Sequence, residues 1–214
     1  MPHVYVCGRF DSPWAYLASR RLDRWTRSDV VIDWRAISHT STPKGALRPA
    51  QSADVRRARL DDVRTTMELV SATLAPDETL PFALAGFVPY TTAAATAFAE
   101  AYHSGLATEA RRTLFDALWL HGCDLDDAHE VRTLLQDARA SAGLPDNAQI
   151  GPTGRVRRTV RTWDAESMRF AGPAGLVLVL GDHVLRDQEA ADVLGWLLRL
   201  PGQSSSTLLS RSAP

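Results

Sequence analysis

The sequence predicts an α/β fold in which a small sheet is interrupted by an all-helical insertion. Three observations carry this. Short, β-rich apolar runs stand near both ends of the 214-residue chain: HVYVCG at 3–8, DVVIDWRAI at 29–37 and AGLVLVLGDHVLRD at 174–187. A helical pattern separates the first two runs, so they should lie parallel with a right-handed crossover. Between the second and third runs the chain reads as helix after helix, with no strand pattern.

The elements follow in order. His3–Gly8 is a short buried strand closed by glycine. Ser12 is a favoured helix N-cap, and Pro13 at the first helical position has no N–H to waste. That helix extends to about Arg27, with Tyr16, Leu17, Leu22 and Trp25 facing inward. Residues 29–37 form the second strand, and the Ser/Thr/Pro-rich stretch 38–52 is a loop. Helices are expected near 53–73, from Thr91 or Thr92 to His103, and near 107–121 and 125–142, the last ended by Gly143 and Pro145. One more spans 154–170. Residues 174–187 read as two strands joined by a tight turn at Gly181-Asp182, and Asp187 caps a final helix. The division is 1–50 and 152–200 for the sheet domain, 51–151 for the insertion, and 201–214 for a flexible tail.

Composition narrows the function classes. Hydrophobic residues make up 45% and charged residues 23%, enough for a core, and the formal net charge is −1. That balance gives no reason to expect a nucleic acid partner. No apolar run approaches the ~18 residues of a membrane span, and no basic segment precedes an apolar one at the N-terminus. We therefore expect a cytoplasmic protein. Cys7 and Cys123 have neither Cys-x-x-Cys nor metal-ligand spacing and read as buried small hydrophobes. Lys44 is the only lysine; this bias, with abundant alanine, points to GC-rich coding.

The stretch GRFDSPWAYLASRRLDRW, residues 8–25, followed by VVIDWRAI, resembles the opening of 2-hydroxychromene-2-carboxylate isomerases and kappa-class glutathione transferases. VPYTTAAATAFAEAYHSG and GCDLDDAHEVRTLLQDA resemble the helical insertion of FrnE-type DsbA relatives. FAGPAGLVLVLGDHVLRDQ occupies the place of the cis-proline loop and its strand. Together these identify a resemblance to the DsbA-like thioredoxin superfamily, with Ser12-Pro13-Trp14-Ala15 where Cys-x-x-Cys usually stands. The implied fold is thioredoxin-like with an all-helical insertion, of the DsbA or kappa type.

The departure decides the chemistry. A serine hydroxyl cannot form a mixed disulfide, and neither Cys7 nor Cys123 can resolve one at this turn, so thiol–disulfide exchange ranks last. A helix N-terminus favours an anion such as a thiolate. The resemblance implies that Ser12 is the catalytic residue, polarising the thiol of a bound glutathione or another low-molecular-weight thiol, mycothiol included. It implies thiol- or substrate-binding roles for Asp11 and Pro13 in the same turn. Trp14 would be a solvent-facing wall for the substrate; the alternative is that it packs under the insertion and belongs to the core. Gly172 would present its backbone, with Pro173 as the cis-proline. At the start of the last helix, Gln188 could donate to a carboxylate, whereas Asp187 suits an amine.

Local chemistry offers plainer readings of the same residues. Ser12 and Asp187 are good N-caps. Asp124, Asp126, Asp127 and His129 are helix-start signals, and we expect no metal site. His39 and Lys44 sit on the loop after the second strand. The arginines of RRARLDDVR (56–64) and GRVRRTVRTW (154–163) read as solvated faces, with an anion-binding arc as the alternative. The expectation is a non-redox isomerase or transferase acting on a small electrophile with a small-molecule thiol; relatives often form a homodimer, and nothing in the sequence decides that for this chain. The alternative is a catalytically inactive binding or scaffold protein.

Overall fold

The computed structural model describes residues 3–25, 30–38, 53–82, 88–141 and 153–199. Its elements are β1 His3–Gly8, α1 Pro13–Asp23, β2 Val31–Ala36, α2 Ala53–Ala72, α3 Thr92–His103, α4 Ala107–His121, α5 Ala128–Ser141, α6 Gly154–Ala171, β3 Leu176–Leu180, β4 His183–Arg186 and α7 Asp187–Arg199. The strand order is β2-β1-β3-β4. β1 runs parallel to β2, with Val6 opposite Trp34, and antiparallel to β3, with Val6 opposite Leu178. β3 and β4 form the expected hairpin, and Gly181 takes φ 58 in its turn. This is a thioredoxin-like sheet with a helical insertion, as the sequence predicts. His39, Lys44, Gly143, Pro145 and the 201–214 tail lie outside the described residues.

α1 is buried nearly all round, from Pro13 to Ser19. It needs to be, because α2, α4 and α7 all pack on it. Tyr16 stacks on Trp119 of α4 at 5.3 Å and donates its hydroxyl to Pro81 O at 2.7 Å. Trp119 Nε1 in turn donates to Phe10 O at 2.9 Å. Aromatic rings from the insertion thus close over the turn between β1 and α1, with the polar tips of Tyr16 and Trp119 each given a partner. Leu17 is buried as expected, while Leu22 is only partly covered.

Toward its C-terminal end α1 carries Arg21, which is only 2% exposed. Its Nε and Nη2 donate to Glu78 at 2.8 and 2.7 Å, and Nη1 donates to Ala191 O at 2.5 Å. A Cβ at position 195 would lie 2.9 Å from the guanidinium carbon, so glycine makes room for the arginine in α7. A buried charge of this kind is tolerated because its donors are met.

Two expectations need correction. No peptide bond among the described residues is cis, so Pro173 is not a cis-proline. Gly172 ends α6 with φ 66 and ψ −149, the mirror image of the extended conformation that pre-proline residues favour. Glycine adopts it without a side-chain clash and reverses the chain with a trans bond following. The Gly172 N–H is also spoken for, donating to Met168 O at 3.0 Å.

Gly8, where β1 ends, faces Trp34: a Cβ there would meet Cζ2 at 2.5 Å and the Ala15 Cβ at 3.1 Å. Gly8→Ala should therefore destabilise the fold by about 1–3 kcal/mol through overpacking. A lower urea midpoint with an unchanged slope is the expected readout.

Candidate functional site at the head of the first helix

Ser12 is the N-cap of α1, at φ −95 and ψ 123, and its Oγ accepts from the Ala15 N–H at 3.3 Å. The Tyr16 N–H reaches Ser12 O at 2.9 Å. Pro13 brings no N–H. Among the first-turn amides, that leaves the Trp14 N–H without an acceptor among the described residues. The head of α1 thus keeps one free donor and the positive end of the helix dipole.

Ser12 is 8% exposed, because the segment before β3 lies against it. A Cβ at Gly175 would come within 2.7 Å of Ser12 Cβ and closer still to its Oγ. The same point lies 3.4 Å from Asp187 Oδ1. Asp187 therefore joins Ser12 at this site, but not as the simple helix cap expected. Its Oδ1 accepts from both the Gly175 and Leu176 N–H groups at 2.9 Å. Its backbone sits at φ 42, a region that disfavours side chains. Gln188, the next residue, is exposed.

Asp11 is 4% exposed and carries the strongest electrostatics of the turn. Arg9 forks onto it, with Nε to Oδ1 at 2.9 Å and Nη2 to Oδ2 at 2.7 Å. Arg59 of α2 adds Nη2 to Oδ2 at 2.5 Å. Burial pushes the Asp11 carboxyl up, but the Arg9 and Arg59 guanidiniums outweigh it and hold it below the usual carboxylate range. Arg59 also donates to Pro89 O at 3.0 Å and stands 4.6 Å over the Tyr90 ring.

The structure thus brings Asp11, Ser12, Gly175 and Asp187 together, with Arg9 and Arg59 beside them. Arg9 had no sequence signal beyond its place in the turn. Arg59 belongs to the RRARLDDVR face; Arg56, Arg57 and Arg64 are exposed there, but Arg59 turns inward. Of the two readings of Trp14, the structure takes the core: it is 7% exposed and does not stand as a solvent-facing wall. Pro13 is buried, and Pro173 is exposed at the end of α6.

Burial pushes the Cys7 thiol up to about 12, so it carries no thiolate at neutral pH. Cys123 is half-buried rather than buried. Asp124 and Asp127 accept from the Asp126, His129 and Glu130 amides, as helix-start residues do. No group of three or more His, Cys, Asp or Glu among the described residues could hold a metal ion. No helix among them is long and apolar enough to cross a membrane. Two adjoining clefts of about 330 and 210 Å³ flank Arg21–Glu78, toward the other end of α1 from Ser12.

Residues 9–155 match the DSBA-like thioredoxin domain family. Among solved structures, the chain is similar to 2-hydroxychromene-2-carboxylate isomerase, at 17% identity and TM-score 0.60, covering 91% of this chain and 92% of the other. It is also similar to the cytosolic disulfide reductase DsbM from Pseudomonas aeruginosa with glutathione, at 15% identity and TM-score 0.57, covering 92% and 100%. At these identities the likeness speaks for the fold alone. A search of curated protein sequences gives no match.

The depressed Asp11 carboxyl makes stability depend on pH in one direction. The ionised form is favoured in the folded state, so its contribution is full above the unfolded carboxyl pKa of about 4. It is lost as pH falls through the lower folded value. Asp11→Asn should cost about 1–3 kcal/mol at pH 7. Urea titrations of both proteins at pH 7, 4 and 3 should show the gap closing toward acid; a constant gap would deny the charge its role.

Proposed function

The chain belongs to the DSBA-like thioredoxin domain family, and from that premise we propose that it is a non-redox enzyme using a low-molecular-weight thiol to isomerise or conjugate a small electrophile. One observation carries this reading: a serine hydroxyl, not a thiol, stands at the head of α1 beside the Trp14 N–H, which meets no acceptor among the described residues. A helix head of this kind lowers the pKa of a thiol bound there, because its dipole and N–H favour the thiolate. Ser12 Oγ–H donates to the sulfur while its lone pair keeps the Ala15 N–H. The thiol gives its proton to solvent, and the thiolate adds to an electrophilic carbon such as the β-carbon of an enone. The resulting enolate takes a proton back. Loss of the thiol then gives an isomer; retention gives a conjugate. Glutathione is the first thiol to test, since the similar DsbM structure holds it.

A second reading, a binding protein without chemistry, is favoured by a different observation. The Gly172 N–H that would hold a cysteinyl backbone is used by the end of α6, and Ser12 is nearly covered by Gly175.

Thermal-shift titrations with glutathione, mycothiol and coenzyme A separate the two. A ligand at 100 times its dissociation constant stabilises the fold by about 2.7 kcal/mol. The enzyme reading expects such a shift with one thiol, weakened in Ser12→Ala. No shift with any of the three would leave the binding reading. Insulin reduction by glutathione should run no faster with the protein than without it.

A further inference from the structure

The outward face of α6 is a row of arginines. Val156, Val160, Trp163, Ser167 and Ala171 turn the other face of this helix into the core. Arg155, Arg157, Arg158, Arg161 and Arg169 are all exposed. No ion pair among the described residues includes any of the five. The carboxylates of α6 itself are engaged by other elements. Asp164 accepts from the Ser38 N–H and Oγ at 2.7 and 2.8 Å, and Glu166 accepts from Arg35 Nη1 at 2.6 Å.

Such a row works against the helix that carries it. Arg157 and Arg161 stand four residues apart, and Arg158 stands three from both Arg155 and Arg161; like charges at these spacings destabilise a helix. All four lie in the half nearest the positive end of the dipole, and the first turn has no acidic residue. His103 flanks the row, with Nε2 2.9 Å from Thr159 Oγ1. Burial first, and then the charge of Arg155, push its pKa down. At the other end Arg186 of β4 donates to Phe170 O at 3.4 Å and adds a sixth cation. The formal net charge of −1 hides this local excess.

The form of the row selects among anions. From Arg155 to Arg169 is fourteen steps of 1.5 Å, about 21 Å. A duplex nucleic acid carries a charge about every 1.7 Å of its axis, so that length offers a phosphate to every arginine. A helix that lies on a membrane gives its apolar face to the lipid, and α6 has spent that face on the core. A protein interface needs an apolar centre, and the only large apolar side chains exposed on α6 are Met168 and Phe170, both at its C-terminal end. Single strands are held by stacking on aromatic rings; Phe170 is the only exposed ring here, and the Arg169 guanidinium stands 5.5 Å from it.

We propose that the outward face of α6 binds the phosphate backbone of duplex nucleic acid. Guanidiniums on phosphates fix position and carry no sequence information, so binding is independent of sequence. It is also independent of Ser12, at the head of a different helix.

Fluorescence anisotropy on the full chain, with fluorescein-labelled DNA and RNA duplexes, tests this. Wild type should bind at least one duplex with a Kd on the order of 10⁻⁵ M at physiological salt. Log K against log salt should have a slope of about −4 to −5, from five contacts at about −0.9 each. Arg157→Gln, Arg158→Gln and Arg161→Gln together should weaken binding about tenfold or more and bring the slope to about −2. The same three changed to lysine should keep the slope. Arg56→Gln, Arg57→Gln and Arg64→Gln, on exposed positions of α2, remove equal charge and should leave the slope unchanged. Should the triple α6 variant not fold, Arg161→Gln alone should reduce the slope by about 1. The proposal is overturned if neither duplex binds at about 50 mM salt, if the slope is flat, or if the α6 variant keeps the wild-type slope. An equal loss in the α2 variant, or a single strand bound as tightly as the duplexes, overturns it too. So does binding to phosphatidylglycerol vesicles or polyglutamate in place of the duplexes, which would give the face to a membrane or an acidic protein.

Discussion

A buried carboxylate organises the head of the first helix. Asp11 has almost no contact with water, and a charge so placed is tolerable only with partners. Arg9 comes from its own turn, and Arg59 from α2, 48 residues along the chain. The ion pairs therefore do more than neutralise a charge. They tie the β1–α1 turn to α2, and through Arg59 to the Pro89–Tyr90 segment that leads into α3. The aromatic rings of the insertion close over the same turn from the other side. With Asp11 neutral, two guanidiniums would face each other without the anion that holds them.

The second tie is made of backbone. Gly175 presses on Ser12, and its carbonyl accepts from the Arg9 N–H at 2.9 Å. Asp187 reaches back from α7 to hold the next two amides. To do so it takes a left-handed φ, which costs on the order of 1–2 kcal/mol for a residue with a side chain. Two hydrogen bonds to one carboxylate oxygen offset that cost. The N-terminal and C-terminal parts of the sheet thus meet over Ser12 by direct contact, and the meeting point carries no sulfur from the protein.

The elements were legible wherever the chain carries its own punctuation. Ser12-Pro13 marked the start of α1 and Gly181-Asp182 the hairpin, because caps and tight turns are decided by a few adjacent residues. What escaped was decided across the fold. Nothing local to RRARLDDVR distinguishes Arg59 from Arg57; only the packing of α2 against Asp11 turns one inward. Trp14 was open between a surface ring, usual at its turn position, and a core residue, and only the packing of the fold closes the core over it. Pro173 was read from its place in a resemblance, whereas Gly172 makes the chain reversal with its own φ. Asp187 had a good capping sequence, but loop amides from another element took its oxygen.

The replacement of sulfur by oxygen at the head of α1 changes where charge must come from. A cysteine there can ionise and supply its own anion to the helix dipole. A serine cannot, so the Trp14 N–H and the dipole meet no negative partner among the described residues. Asp11 and Asp187 oppose indiscriminate anion binding, since an anion placed elsewhere in the site meets a carboxylate first.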